Sequence, residues 1–263
     1  MSTRRPVAAG TFYPSDRDEL ARSIERAFAD AVPPPPDATP PKALIVPHAG
    51  YVYSGAVAAS AFRRLTLAAE RIRRVVLLGP SHRVHVRGMA VPSVDAFDTP
   101  LGTVTIDAEL RDAIRDLPAV VVDDAPHRHE HSLEVELPFL QTVLERFTLL
   151  PLSIGDARGE EVAAVLDALW GGPETLIVVS TDLSHDHHYD DAVGLDLRTA
   201  AAIVAADADA ISERDACGSR PLHGLLRAAA ARSLRVEQID LRNSGDTAGD
   251  RHRVVGSGAF AVG

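Results

Sequence analysis

The 263-residue sequence predicts a single α/β domain, built on a mixed, mostly parallel sheet flanked by helices. Three observations predict it. Short apolar, β-branched runs alternate with helical segments, the pattern of parallel strands joined by helical crossovers. The runs are continuous rather than alternating, as expected of strands covered on both faces. The hydrophobic fraction, 46%, is enough for one substantial core, so residues 1–263 are read as one domain.

The elements follow in chain order. Residues 18–31 have helical spacing, with Leu20, Ile24 and Phe28 on one face and Ser15 placed to cap the N-terminus. The prolines between Pro33 and Pro41 end that helix and form a stiff surface connection. About thirty residues precede it, too few for an independent core. Buried strands are expected at 43–46, 75–78, 149–154 and 176–179, with helices at 55–67, 132–146 and 160–170. The irregular segment 88–106 is expected to hold further strands at 89–92 and 103–106, around the turn Asp98-Thr99-Pro100-Leu101-Gly102. In the last third, 195–206 and 222–232 read as helices, 234–241 and 254–262 as strands. The loop between those two strands is short and has no helical pattern, so they should pair antiparallel.

The formal charge is −10, which argues against nucleic acid as a partner because phosphate binding needs Lys and Arg. No stretch approaches the roughly 20 apolar residues of a membrane span. The single cysteine, Cys217, allows no internal disulfide, and no apolar run after the N-terminus reads as a secretion signal. The expected compartment is the cytoplasm.

Chemistry concentrates just after the buried runs. Strand 43–46 leads into Pro47-His48-Ala49-Gly50, strand 75–78 into Gly79-Pro80-Ser81-His82, and strand 176–179 into Ser180-Thr181-Asp182-Leu183-Ser184-His185. Parallel strands deliver their carboxyl ends to one edge, where open α/β sheets bind ligands. His48, His82 and the Asp182/His185 pair are therefore expected to converge, and imidazoles serve as metal ligands or as acid/base groups. The segment Pro126-His127-Arg128-His129-Glu130-His131-Ser132 adds three histidines before a helix that Ser132 would cap. His127 and His129 read as solvated loop residues. His131, nearest the helix, would face the site, and Glu130 would orient a ligating histidine. His187 and His188 read as exposed. Cys217 precedes a helix and has three readings: a buried structural thiol, a nucleophile activated by a histidine, or a thiolate metal ligand.

These pieces together resemble the Memo family, called AmmeMemoRadiSam system protein B in prokaryotes. The matching segments run from Ala8-Gly-Thr-Phe-Tyr-Pro14 through Pro47-His-Ala-Gly-Tyr-Val-Tyr-Ser-Gly55, Leu78-Gly-Pro-Ser-His82 and Glu130-His-Ser-Leu-Glu-Val-Glu-Leu-Pro-Phe139. They continue with Ser180-Thr-Asp-Leu-Ser-His185, Cys217-Gly218 with Pro221, and Asn243-Ser-Gly-Asp246. The resemblance implies a fold like that of class III extradiol dioxygenases, whose two histidines and glutamate hold Fe(II). It implies His48, His82 and Cys217 as metal ligands, His185 as the acid/base group, and Asp182 and His131 as neighbouring site residues. Iron or copper is the implied metal, with zinc possible. The implied partners are a small-molecule substrate or O₂, a radical-SAM protein and an AMMECR-type domain. Asp186, Leu241 and Ser257 depart from the family pattern, which often has aromatic residues there; they leave the ligands alone and bear on the substrate pocket.

Two imidazoles and one anionic ligand leave open positions on a metal, and a thiolate in place of a carboxylate favours Cu(I), Zn(II) or thiolate-ligated iron. A dioxygenase-like oxidoreductase is the expected enzyme. Two further classes are a metal-free cysteine hydrolase using Cys217 and Asp182, and a scaffold whose cleft holds a peptide or protein without turnover.

Overall fold

The computed structural model describes residues 1–263. The chain begins with β1 (Thr3–Arg4) and α1 (Arg17–Ala29), then β2 (Ala43–Val46) and α2 (Tyr51–Phe62), which tightens into a 3₁₀ segment over Arg63–Ala68. β3 (Arg74–Pro80) is followed by β4 (Met89–Val91), β5 (Ala96–Thr99), β6 (Gly102–Thr105), α3 (Ala108–Ile114), β7 (Val120–Val122) and α4 (Ala125–Arg128). A 3₁₀ turn over Glu134–Glu136 leads to α5 (Leu137–Val143), β8 (Thr148–Ile154), α6 (Gly159–Leu169) and β9 (Thr175–Ser180). The chain closes with β10 (His185–His187), α7 (Tyr189–Val204), α8 (Ser219–Ala231), β11 (Val236–Asn243) and β12 (Val254–Val262).

The main sheet runs β10-β12-β2-β9-β3-β8-β4-β7, with β11 on the other edge of β12. Its middle, β2-β9-β3-β8, is parallel throughout. β12 joins β2 antiparallel, β11 joins β12 antiparallel, and β4 joins β8 antiparallel. The mixed, mostly parallel sheet is thus as the sequence predicts, and so is the antiparallel final pair. A small second sheet, β1-β5-β6, packs the N-terminal residues against the irregular segment.

Alternate residues of the central strands feed two cores. Leu44, Val46, Val75, Leu77, Leu176 and Val178 face α1, α2 and α5. Ala43, Ile45, Val76, Leu78, Ile177 and Val179 face α6, α7 and α8. Each core holds 33 buried residues, so neither face is left for water and the strands must be apolar on both sides. That explains the continuous runs. At about 1.5–3 kcal/mol per buried aliphatic side chain, this double burial fixes the strand ends that carry the histidines.

Several boundaries move. Asp16, not Ser15, caps α1, accepting from the amides of Asp18 and Glu19. The helix expected over 132–146 is reduced to the 3₁₀ turn and seven-residue α5. Pro138 lacks an amide proton and restricts the residue before it, so a regular helix starts only there. The Ser132 hydroxyl is no cap; it donates to the Pro80 carbonyl at 2.9 Å. The strand pattern left β5, β7 and β10 and helix α3 unread: they are short, and their pairing partners decide them.

The N-terminal segment is held by one buried anion. Glu134 accepts from the Arg4 guanidinium at 2.6 Å, the Tyr13 hydroxyl at 2.5 Å and the amides of Val7 and Ala8. Arg4 also donates to the carbonyls of His127 and Glu130, both at 2.6 Å, tying the N-terminus to the loop that carries His131. Removing one partner of a buried pair strands the other charge. Arg4→Met should therefore cost about 3–5 kcal/mol of stability, read as a lower urea midpoint by circular dichroism. The double variant with Glu134→Gln should recover part of that loss; no recovery would mean the cost is not electrostatic.

Candidate metal centre

Parallel register sets the scaffold. Val46 lies opposite Ser180 and Leu78 opposite Val179, so the residues after β2, β3 and β9 emerge at one edge. There Asp182 Oδ1 accepts from the backbone amides of His48 at 2.8 Å and Ala49 at 3.2 Å, fixing the turn after β2 from the turn after β9. Glu130 does the same for the turn after β3. It accepts from the His82 amide at 2.6 Å, the His131 amide at 2.9 Å and the Ser132 amide at 3.0 Å. Its Oε1 also meets His82 Nδ1 at 2.9 Å and lies 3.2 Å from His131 Nδ1, off the line a hydrogen bond needs. Burial alone would raise the Glu130 pKa, but the imidazoles of His131 and His82 and the Ser132 amide outweigh it and hold the carboxyl well below the usual carboxylate range.

The three rings converge. His48 meets His82 and His131 edge-on, with ring centroids 5.2 and 5.4 Å apart. His82 and His131 stack at 4.9 Å, and Phe12 stacks on the outer face of His131 at 4.2 Å. One donor nitrogen from each of His48, His82 and His131 lies within 4.8 Å of the others. His48 Nδ1 contacts the Ser180 hydroxyl at 2.8 Å. The Nδ1 atoms of His48 and His82 thus have oxygen partners, and Nε2 is the nitrogen those two rings have to offer. Imidazoles held with a nitrogen towards one point are the donor set a metal ion requires, and the cluster fits one.

Cys217 completes the surroundings. Gly218 lets α8 approach β9: a Cβ there would sit 2.7 Å from Thr181 Oγ1 and 2.9 Å from the Ser180 carbonyl. The approach puts Cys217 Sγ 3.3 Å from His48 Nε2 and 3.3 Å from the Asp182 amide. Donors around one tetrahedral zinc lie roughly 3.5 Å apart, so sulfur and Nε2 are spaced as co-ligands would be. The sulfur is not one of the three mutually close donors. Burial, with the Asp182 charge adding to it, pushes the Cys217 thiol up to about 12. Burial pushes the His48 imidazole down to about 4. An open cavity of about 520 Å³ reaches the site, lined by His82, His85, Cys217, Ser219 and Arg220 among others.

A sequence model of the Memo-like protein family matches residues 4–261. The chain belongs to the Memo family. A MEMO1 family protein of Aquifex aeolicus is 35% identical over 266 residues, which cover 97% of each chain. One of Methanothermobacter thermautotrophicus is 36% identical over 278 residues, covering 96% of this chain and 98% of the relative. Among solved structures, an uncharacterized protein of Escherichia coli K12 matches with a TM-score of 0.48 and 15% identity, over 84% of this chain and 99% of that one.

Within this Memo-family fold, the expected convergence of strand-end histidines applies to His48 and His82. His185 is exposed on β10, paired with Val255, and makes no hydrogen bond or ring contact with the cluster. The expected Asp182–His185 pairing is not formed, because Asp182 is committed to the backbone of His48 and Ala49. The adjacent Asp186 has φ +63°, a left-handed conformation that Asp tolerates better than an aromatic residue. His129, His187 and His188 are exposed, as the sequence suggests. His127 is not: it is 2% exposed, with Nε2 on the Ala90 carbonyl at 3.0 Å. Sequence reasoning missed Phe12 as a ring partner and Ser180 and Glu136 as the buried pair behind His48. The apolar run through 176–179 hid Ser180 as strand, and Glu136 read as part of a helix.

No helix of the structure is long and apolar enough to cross a membrane.

Burial pushes the His127 imidazole down to about 4, and the Arg4 charge adds to the effect. The unfolded chain, with an ordinary value near 6.5, then takes up its proton first as pH falls. The stability His127 contributes is complete above about pH 6.5 and is lost towards pH 4, by about 3 kcal/mol. Urea midpoints at pH 7 and 4.5 should separate widely in the wild type and less in His127→Gln. Equal separations would disprove the assignment.

Proposed function

We propose that this Memo-family protein is a metal-dependent, redox-active protein whose ion is held by His48, His82 and His131 with Cys217 as its anionic ligand. The observation that carries the reading is the meeting of three imidazoles, two of them oriented by oxygen partners, beside the one thiol. Two of these imidazoles and the thiol are the ligands the family resemblance implies; the geometry adds His131. Imidazole with thiolate suits iron or copper, and zinc also accepts this set. A bound iron or copper ion would supply electron-transfer or O₂ chemistry that no side chain here can.

The chain's own residues have separable tasks in this reading. Glu130 and Asp182 hold the two histidine turns by their backbones, so the rings are placed before any ion arrives. Phe12 covers the outer face of His131 and excludes water from it. The cavity beside His82 and Cys217 admits a small-molecule substrate or O₂. His185, lying outside the ring cluster, is the candidate acid/base group for exchange with solvent.

A metal-free cysteine hydrolase fits less well. Such an enzyme needs a thiolate beside an imidazolium, whereas burial favours the protonated thiol and the neutral ring here. Deprotonation of Cys217 is instead what a bound cation would drive.

Elemental analysis of anaerobically purified protein should find one iron or copper ion per chain. His48→Ala, His82→Ala and His131→Ala should each lose most of it, and Cys217→Ser should lose any thiolate-to-metal charge-transfer band. Unchanged metal content across the four variants would refute the site. His185→Gln should keep the metal; a metal-free His185→Gln protein would show that residue to be a ligand instead.

A further inference from the structure

Behind His48, away from the cavity, lies a second buried carboxyl that the metal reading does not use. We propose that Glu136 is a positioning residue: an un-ionised carboxylic acid that, through Ser180, fixes His48 as its Nδ1–H tautomer and keeps Nε2 bare. The proposal deepens the metal reading and rests on it for its purpose, though not for its geometry.

The argument is a count of protons around one oxygen. Ser180 Oγ is fully buried and has three neighbours: the Ser132 carbonyl at 2.6 Å, His48 Nδ1 at 2.8 Å and Glu136 Oε1 at 2.9 Å. A hydroxyl has one proton and two acceptor lone pairs. The Ser132 carbonyl can only accept, and it is the nearest of the three, so the Ser180 proton goes there. Both lone pairs must then receive protons, one from His48 Nδ1 and one from Glu136. No other arrangement satisfies all three contacts. If Glu136 were a carboxylate, two acceptors would compete for a single proton and one short contact would be repulsive.

The surroundings agree. Glu136 is 1% exposed and has no cationic partner. Burial, with the nearby charge of Asp182, pushes its pKa well above the ordinary value. The 3₁₀ turn that carries Glu136 follows the loop of His131, so one stretch of chain brings both a ring to the cluster and the group that orients another ring. With Nδ1 protonated, the His48 lone pair lies on Nε2, the nitrogen that faces Cys217.

The test uses the full chain, metal-free and then titrated with zinc(II). Nitrogen NMR of labelled imidazoles at neutral pH should report His48 as Nδ1–H in the wild type and in Glu136→Gln, whose amide also donates to Ser180. Ser180→Ala and Glu136→Leu should show the other tautomer or a mixture, and should weaken zinc binding roughly 10–100-fold while Glu136→Gln does not. The infrared spectrum of the wild type should contain an un-ionised carboxylic acid band that Glu136→Gln removes. An Nε2–H His48 in the wild type, absence of that band, or Glu136→Gln binding zinc as weakly as Glu136→Leu would each overturn the proposal. If His48 reads Nδ1–H but the wild type binds no zinc, the metal reading has failed while the tautomer assignment stands.

Discussion

The site depends on a buried carboxylate, Glu130, that binds backbone as much as side chain. It accepts from the amides of His82, His131 and Ser132 while touching the His82 ring. Three amides converging on one anion is a stronger constraint than any ring contact, because charged acceptors give shorter, stronger hydrogen bonds and the interior dielectric is low. Two turns far apart in sequence, after β3 and before α5, are thereby held at one place. Asp182 applies the same device to the turn after β2. The histidines are positioned by their own main chain, and the rings have little left to choose.

Charge and burial are divided across the cluster in a consistent way. Glu130, supplied with donors, stays ionised at the open side beside His82 and His131. Cys217 and Glu136, buried and near Asp182, are held towards their protonated forms. The negative charges of Glu130 and Asp182 are therefore balanced by hydrogen bonds, and further charges are suppressed by desolvation. The three imidazoles that meet beside these groups could hold a metal ion.

The N-terminal residues take part in this economy. Arg4 and Glu134 form the buried pair that pins them to the loop of Glu130 and His131, and Phe12 closes over the outermost ring. Residues before the first helix are thus part of the site's wall.

The sequence by itself determined the fold class, the central strands and two of the converging histidines. Those features are local or periodic: continuous apolar runs mark strands buried on both faces, and parallel strands carry their carboxyl ends to one edge. It also pointed to Cys217 and to Glu130 as an orienting carboxylate. Only the tertiary structure decided that His131 joins the cluster while His185 stays outside, that His127 is buried, and that Asp182 serves His48 instead of His185. The physical reason is that each of these depends on which distant backbone amides a carboxylate finds, and on which ring another ring packs against. Partners 132 residues apart, as His48 and Ser180 are, leave no periodic trace in either segment.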